Sequence, residues 1–332
     1  MSGTSDSAKP VAAALHSSAI EHHAPAAAAS GDSAASAAHT TLAQADHAMR
    51  HWTDPAPGDV RVGSTQHLQM FCNMLLQTHN PYKPAVIEWP RLPPEALHRV
   101  TSLPIWDIAV QTEGRAAIRV RTFAGTVDDP LLRRALELDG AEEARHKVVL
   151  SKLVQAYGIA LAPEPDYPPP RDPEWGWLVT GYSECIDSFF AFGLFAAARR
   201  SGFFPAELVE TFEPVIQEEG RHILFFVNWA AWYRRNLPWW RRPLFALKVA
   251  RVWAFLVWER IGIARGLDAD GVAQDANFTM NGSAALGEAL TPGAMIDLCL
   301  AENARRMAGY DTRLLRPGTV PRLARLARRF VG

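Results

Sequence analysis

Glu142-Glu143-Ala144-Arg145-His146 and Glu218-Glu219-Gly220-Arg221-His222 are two copies of one pattern in a chain of 332 residues. Each contains a Glu-x-x-His step. Residues three apart on a helix lie on one face about a turn apart, so a carboxylate and an imidazole from each copy point at the same place. Each copy follows a helical pattern with one glutamate in its inward stripe, Glu113 in the first half and Glu184 in the second. Four carboxylates and two imidazoles from four helices are a ligand set for a pair of metal ions in a bundle core.

The surrounding sequence supplies the four helices. Trp106, Val110, Glu113, Ala117 and Val120 recur at intervals of four and three, the spacing of one helix face. Asp128, Asp129 and Pro130 stop that helix and start the next, with proline placed in a first turn. The second helix runs to about Gly158 and carries Leu132, Leu136, Asp139, Glu143, His146, Leu150 and Leu153 on one face. The proline-laden stretch 163–173 reads as a crossover loop. Trp177, Gly181, Glu184, Ser188, Ala191 and Phe195 mark a third helix over 174–201. Pro205 opens a fourth that passes His222 towards Trp232, and Pro214 within it is expected to kink it by removing a backbone donor. Glu113 and Glu184 are 71 residues apart and Glu143 and Glu219 are 76 apart, so the halves read as a weak internal duplication.

Burying these groups needs compensation. A lone ionised carboxylate in a low-dielectric core costs more than the roughly 5–15 kcal/mol by which a whole domain is stable. Divalent ions compensate, and mixed nitrogen and oxygen ligation suits iron or manganese. After His98 the only histidines are His146 and His222, and two matching copies are hard to produce by chance. Ligating histidines commonly give their other N–H to a carboxylate. Asp187, three residues after Glu184, is the preferred partner for one of them, with Asp139, Glu142 and Glu218 as the others. Arg145 and Arg221 are expected to pair within that set, although Glu142 and Glu218 read equally well as surface charges.

The order Glu, Glu-x-x-His, Glu, Glu-x-x-His over about residues 104–234 resembles the ferritin-like di-iron carboxylate superfamily. The resemblance implies an all-α, ferritin-like four-helix bundle with additional C-terminal helices. It implies that Glu113, Glu143, His146, Glu184, Glu219 and His222 ligate two Fe ions, or a Mn/Fe pair, with Glu143 and Glu219 bridging. It also implies oxidation chemistry with dioxygen, an external electron donor and a small, hydrophobic organic substrate. A ferroxidase without an organic substrate is the alternative. The chain has no cysteine pair for a rubredoxin iron. Val215 stands where the amine N-oxygenases of the superfamily place an additional histidine.

Composition frames the rest. Residues 1–60 are rich in Ala and Ser, hold six of the eleven histidines and lack apolar periodicity, so they are expected to be a disordered tail. Residues 61–103, dense in proline after residue 80, are expected to wrap the bundle as an extended arm. The bundle is placed at 104–235 and a helical extension at 236–332. Cys72, Cys185 and Cys299 show no paired spacing and read as free thiols of a cytoplasmic protein. A net charge of -1 argues against nucleic acid. Six of the eleven tryptophans fall between 229 and 258, interleaved with arginines. Trp and Arg together suit the inner face of a membrane, whereas arginine stems covering apolar surface are the plainer reading. The residues beside Glu184 expected to line a pocket are Ser188, Ala191 and Phe192.

Overall fold

Helix limits in this chain are set by capping side chains and prolines, as described by a computed structural model. It covers residues 41, 43–81, 89–103, 105–202, 204–268 and 291–331, with backbone alone over 261–268. After a helical stretch at 43–50 come α1 (Thr65–Gln77), α2 (Pro94–Thr101), α3 (Trp106–Ala124), α4 (Pro130–Ala156), α5 (Pro173–Ser201), α6 (Ala206–Asn236), a 3-10 turn (Trp239–Arg241), α7 (Arg242–Asp268), α8 (Pro292–Met307) and α9 (Thr319–Ala327). The protein is all-α: the described residues contain no strand, only an isolated bridge between Trp52 and Tyr310.

Asp129 caps α4 by accepting from the Leu132 N–H at 2.9 Å, with Pro130 at the first helical position. Asp172 caps α5 in the same way, accepting from Trp175 N–H at 3.0 Å ahead of Pro173. Such a side chain satisfies one of the backbone donors left open at a helix start. Gly158 and Gly202, both at φ +64°, follow the C-terminal ends of these helices; that left-handed conformation favours glycine. α6 continues through Pro214 as one helix.

α3 packs along α4, α5 along α6, and α3 also meets α5. Between them Trp177, Phe225, Phe226 and Trp229 are fully buried or nearly so. Their rings meet edge to face, Trp177 lying 5.3 Å from Phe226 and 5.5 Å from Trp229. Gly181 is what permits this: a Cβ there would fall 2.1 Å from the Phe226 ring. Each large side chain removed from water contributes roughly 1.5–3 kcal/mol.

Two expected segments are corrected. The arm at 61–103 contains α1 and α2 rather than extended chain alone. α1 docks on both α4 and α6, burying Leu68, Met70, Phe71, Cys72, Met74 and Leu75. Its apolar run ends before the proline-dense part, so nothing forbids a helix there. The expected disordered tail splits: 1–40 lie outside the described residues, while 43–50 are helical, Met49 is buried and Trp52 pairs with Tyr310 through backbone bonds of 3.0 and 2.8 Å on either side. The three cysteines are free and buried.

The C-terminal helices divide into two kinds. α8 lies against α5 and α6 and buries Met295, Leu298, Cys299 and Met307. α7 leans on α5 through Phe245, Val252 and Leu256 and leaves most of its other apolar side chains outside. No helix among the described residues is long and apolar enough to cross a membrane.

Candidate metal centre

All six expected ligands converge. Glu113 comes from α3, Glu143 and His146 from α4, Glu184 from α5, and Glu219 and His222 from α6. Their donor atoms form two overlapping groups, one of Glu113, Glu143, His146 and Glu219, the other of Glu143, Glu184, Glu219 and His222. Within each group the atoms lie within 4.8 Å of one another, and Glu143 and Glu219 belong to both. Ligand bonds of first-row divalent ions run about 2.0–2.2 Å, so two ligands of one ion lie up to about 4.4 Å apart. The groups are close to that span.

The polar atoms fit a shared ion better than they fit one another. His222 Nδ1 lies 2.7 Å from Glu143 Oε1 and His146 Nδ1 lies 3.1 Å from Glu219 Oε1. Nevertheless both Nδ1 atoms, with Glu143 Oε1 and Glu184 Oε1, are buried without a partner in hydrogen-bond geometry. Buried polar atoms are nearly always satisfied, so four orphans converging on one place make a candidate ligand site.

Each imidazole is fixed by the other copy of the motif. His146 Nε2 lies 2.8 Å from Glu218 Oε2, and His222 Nε2 lies 2.8 Å from Glu142 Oε2. A carboxylate only accepts, so Nε2 carries a hydrogen and Nδ1 is the ring nitrogen turned to the cluster. Arg221 donates to both oxygens of Glu142 at 3.0 and 3.1 Å, and Arg145 to Glu218 at 2.6 Å. The first glutamate and the arginine of one pentapeptide therefore serve the histidine and the glutamate of the other.

The charges follow from burial and these partners. Among the protein groups alone, burial pushes the Glu143 and Glu184 carboxyls well above the ordinary carboxylate range, and neighbouring carboxylates add to it. Burial also pushes Asp139 up, to about 6. Glu142 goes the other way: although burial opposes its charge, Arg221 and the His222 and His79 hydrogen bonds hold it well below that range. Glu143 and Glu184 thus lack a cationic partner that Glu142 has, the condition that a bound cation would remedy.

The outer residues divide. Glu142, Glu218 and Arg221 are buried rather than on the surface. Asp139 is buried with both oxygens unpartnered, its Oδ1 3.8 Å from His222 Nε2, and Glu142 holds that nitrogen instead. Asp187 is corrected: it is exposed and bound by Arg260 of α7 at 2.6 Å and by Ser183, far from a role on either histidine. Three residues past Glu184, it has rotated off the inward stripe onto the face that α7 covers. Ser188 donates to Glu219 Oε2 at 3.3 Å, and Phe192 is fully buried nearby.

Residues following α1 were missed by sequence reasoning. Thr78 Oγ1 accepts from Arg221 Nε at 2.7 Å, and the Leu75 carbonyl accepts from the same guanidinium at 2.6 Å. His79 Nδ1 lies 2.5 Å from Glu142 Oε1, and the Asn80 carbonyl accepts from Arg145 at 3.2 Å. The one local signal is the polar run 77–80 closing an otherwise apolar helix. A 210 Å³ depression on α3 and α4, lined by Asp107, Val110, Ser151 and Glu164 among others, includes none of the six ligands.

Comparison with known proteins finds no matching family model, no matching curated protein and no matching solved structure.

Proposed function

We propose that the chain is a non-haem di-iron carboxylate oxygenase or oxidase, built on a ferritin-like four-helix bundle of α3 to α6 and acting on a small, hydrophobic organic molecule. The observation that carries this is the sharing of Glu143 and Glu219 between two ligand groups, each completed by one further glutamate and one histidine. That is the arrangement two ions bridged by carboxylates require. Two irons so held supply activation of dioxygen, with electrons from an external donor.

The chain's own residues hold and tune such a pair. Glu113, Glu143, Glu184 and Glu219 would hold such a pair through their carboxylates, and His146 and His222 through Nδ1, with Glu143 and Glu219 common to both groups. Glu142 and Glu218 keep the imidazoles in one tautomer and orientation, which raises ligand basicity. Arg145 and Arg221 offset the charge of those outer carboxylates so that they stay ionised in the core. Ser188 steadies Glu219, and the fully buried Phe192, against Gly220, keeps water from that side. The same apolar side chain is consistent with an organic substrate rather than a hydrated ion.

One observation favours the iron-handling alternative. The Glu113 and Glu219 side chains retain 20% and 14% exposure, so one side of the cluster reaches solvent. Catalytic Fe(II) oxidation far beyond two equivalents, ending in a mineral, would support a ferroxidase.

The test is metal content by elemental mass spectrometry on protein from iron-replete cells. About two irons per chain are expected, both lost in Glu219→Ala with the helical circular dichroism retained. Transition metal near zero after anaerobic loading with Fe(II) would overturn the reading.

A further inference from the structure

The outer face of α7 has no covering partner in the described chain, and its chemistry identifies what it fits. α7 carries two stripes. The inner one, Phe245, Val252 and Leu256, is buried against α5. The outer one, Leu244, Leu247, Arg251 and Trp258, with Trp240 in the turn just before the helix, falls at steps of four, three, four and seven and is exposed throughout. Trp239 at the preceding turn is 79% exposed, Trp258 is 69% and Leu244 is 61%. A helix apolar on both faces is ordinarily buried on both, and an apolar patch of this kind marks an interaction site.

We propose that this face docks peripherally on an anionic lipid surface. The charge pattern selects that partner. From 234 to 258 the sequence has no acidic residue, while Arg234, Arg235, Arg241, Arg242, Lys248 and Arg251 are all cationic. Lys248 is engaged by Asp172 and Glu174 on the inner side, so it takes no part. Arg241 lies over the Trp240 ring at 5.4 Å, keeping cation and indole together at the rim of the stripe. Arg251 sits in the middle of the apolar stripe and is exposed.

A second copy of the chain would meet this stripe with the same arginines and no acid to pair with them. Like charges placed together across a contact are unfavourable. An anionic bilayer instead presents negative headgroups to the cations, a boundary layer that indole rings favour, and acyl chains to Leu244 and Leu247. The helix lies along such a surface and does not cross it.

The experiment is co-sedimentation of the full chain with vesicles of phosphatidylcholine containing 30% phosphatidylglycerol (roughly the anionic charge at which juxtamembrane basic segments bind) and with phosphatidylcholine alone. Binding to the anionic vesicles is expected, weakening as salt rises. In the double variant Leu247→Glu/Trp258→Glu it should fall at least about tenfold, since each change places an acid against anionic headgroups. Both positions are exposed, and unchanged circular dichroism and metal content will confirm that the variant is intact. Sedimentation equal for the two vesicle types, none with either, or full binding by the double variant overturns the proposal. So does a concentration-dependent dimer in analytical ultracentrifugation that the double variant abolishes, since the face would then belong to a second copy. The metal reading stands or falls separately.

Discussion

The two halves of the metal centre present the same ligands but are supported differently. On one side Glu142 receives His222, both N–H bonds of Arg221 Nη1, and His79; Arg221 is itself fully buried and tied to Thr78 and the Leu75 carbonyl. On the other, Glu218 receives His146 and Arg145, whose side chain is 21% exposed and also reaches the Asn80 carbonyl and, at 3.7 Å, Glu142. The duplicated motif therefore fixes which side chains converge. Beyond it, the ties to the two arginines come from the end of α1 and residues 78–80, which meet both motif helices and need not be symmetric about them. The ligands obey the repeat, and the rigidity around them comes from outside it.

Removing the two arginines should expose that difference most strongly. Arg221→Ala leaves Glu142 ionised in a dry site and strips Thr78 and Leu75 of their donor. Breaking a buried pair in this way costs about 3–5 kcal/mol. Arg145→Ala should cost less, about 1–3 kcal/mol, because water can replace a partly exposed guanidinium. Urea unfolding of both variants under one metal condition gives the ratio. Equal losses would mean that α1 adds nothing to the first half.

The histidine clamps should behave alike. Each imidazole is held by one carboxylate at 2.8 Å, so Glu142→Ala and Glu218→Ala are each expected to weaken metal binding about 10–100-fold. Competition with a chelator reads both constants. A large loss for one variant only would show that the ions themselves are bound unequally and would carry the asymmetry into the inner ligands.

A further difference separates the motif helices at a distance. α6 is braced from both chain ends: Glu213 pairs with Arg306 at 3.0 Å and with Arg50 at 3.0 Å, and Gln217 donates to the Arg306 carbonyl and Tyr310. Burial opposes the charge on Glu213, but the Arg306 bonds outweigh it and hold its carboxyl below the ordinary value of 4.5. A depressed folded-state value contributes stability that is present above the unfolded value and is lost as pH falls through the folded one. Glu213→Gln should therefore be less stable by about 1–2 kcal/mol at pH 7, with the gap to the parent closing below about pH 4. Urea midpoints from pH 7 to 3 test this. A gap that stays constant with pH would assign the effect to packing.

How much of this could be read in the sequence follows from the range of the forces involved. Pro130 and Pro205 marked helix starts because a missing N–H and a fixed φ act within one turn. The convergence of the six side chains was legible because their spacing is repeated. The crossed support of the histidines was half legible: Glu142 and Glu218 were candidates, but as surface charges they fitted equally well, since burial depends on which helix lies opposite. Asp187 was misassigned because α7, which takes it through Arg260, was not placed against α5. Thr78 and His79 were barely legible. They act on residues 143 and 63 positions away, and the polar run around them does not say on what.

The smallest expected effect addresses the one position where the two pentapeptides themselves differ in an apolar residue, Ala144 and Gly220. Gly220 lies in the interior of α6 and has no positive φ to explain it. A Cβ there would meet Arg306 Cβ and Phe192 Cζ at 3.9 Å and Gln217 Nε2 at 4.0 Å, all ordinary contact distances. Nothing need move to admit a methyl group. Glycine within a helix is less favourable than alanine by roughly 0.5–1 kcal/mol, so Gly220→Ala should raise stability by up to about that amount while leaving metal content unchanged. The comparable change at Gly181 meets the Phe226 ring at 2.1 Å and should destabilise, by about 1–3 kcal/mol or more, which makes it the contrasting control. If Gly220→Ala instead lowers the urea midpoint or loses iron, then the packing of Phe192 and Arg306 on α6 has no room for even the methyl carried by the other motif. The two halves would then differ at the pentapeptide itself and not only in what surrounds it.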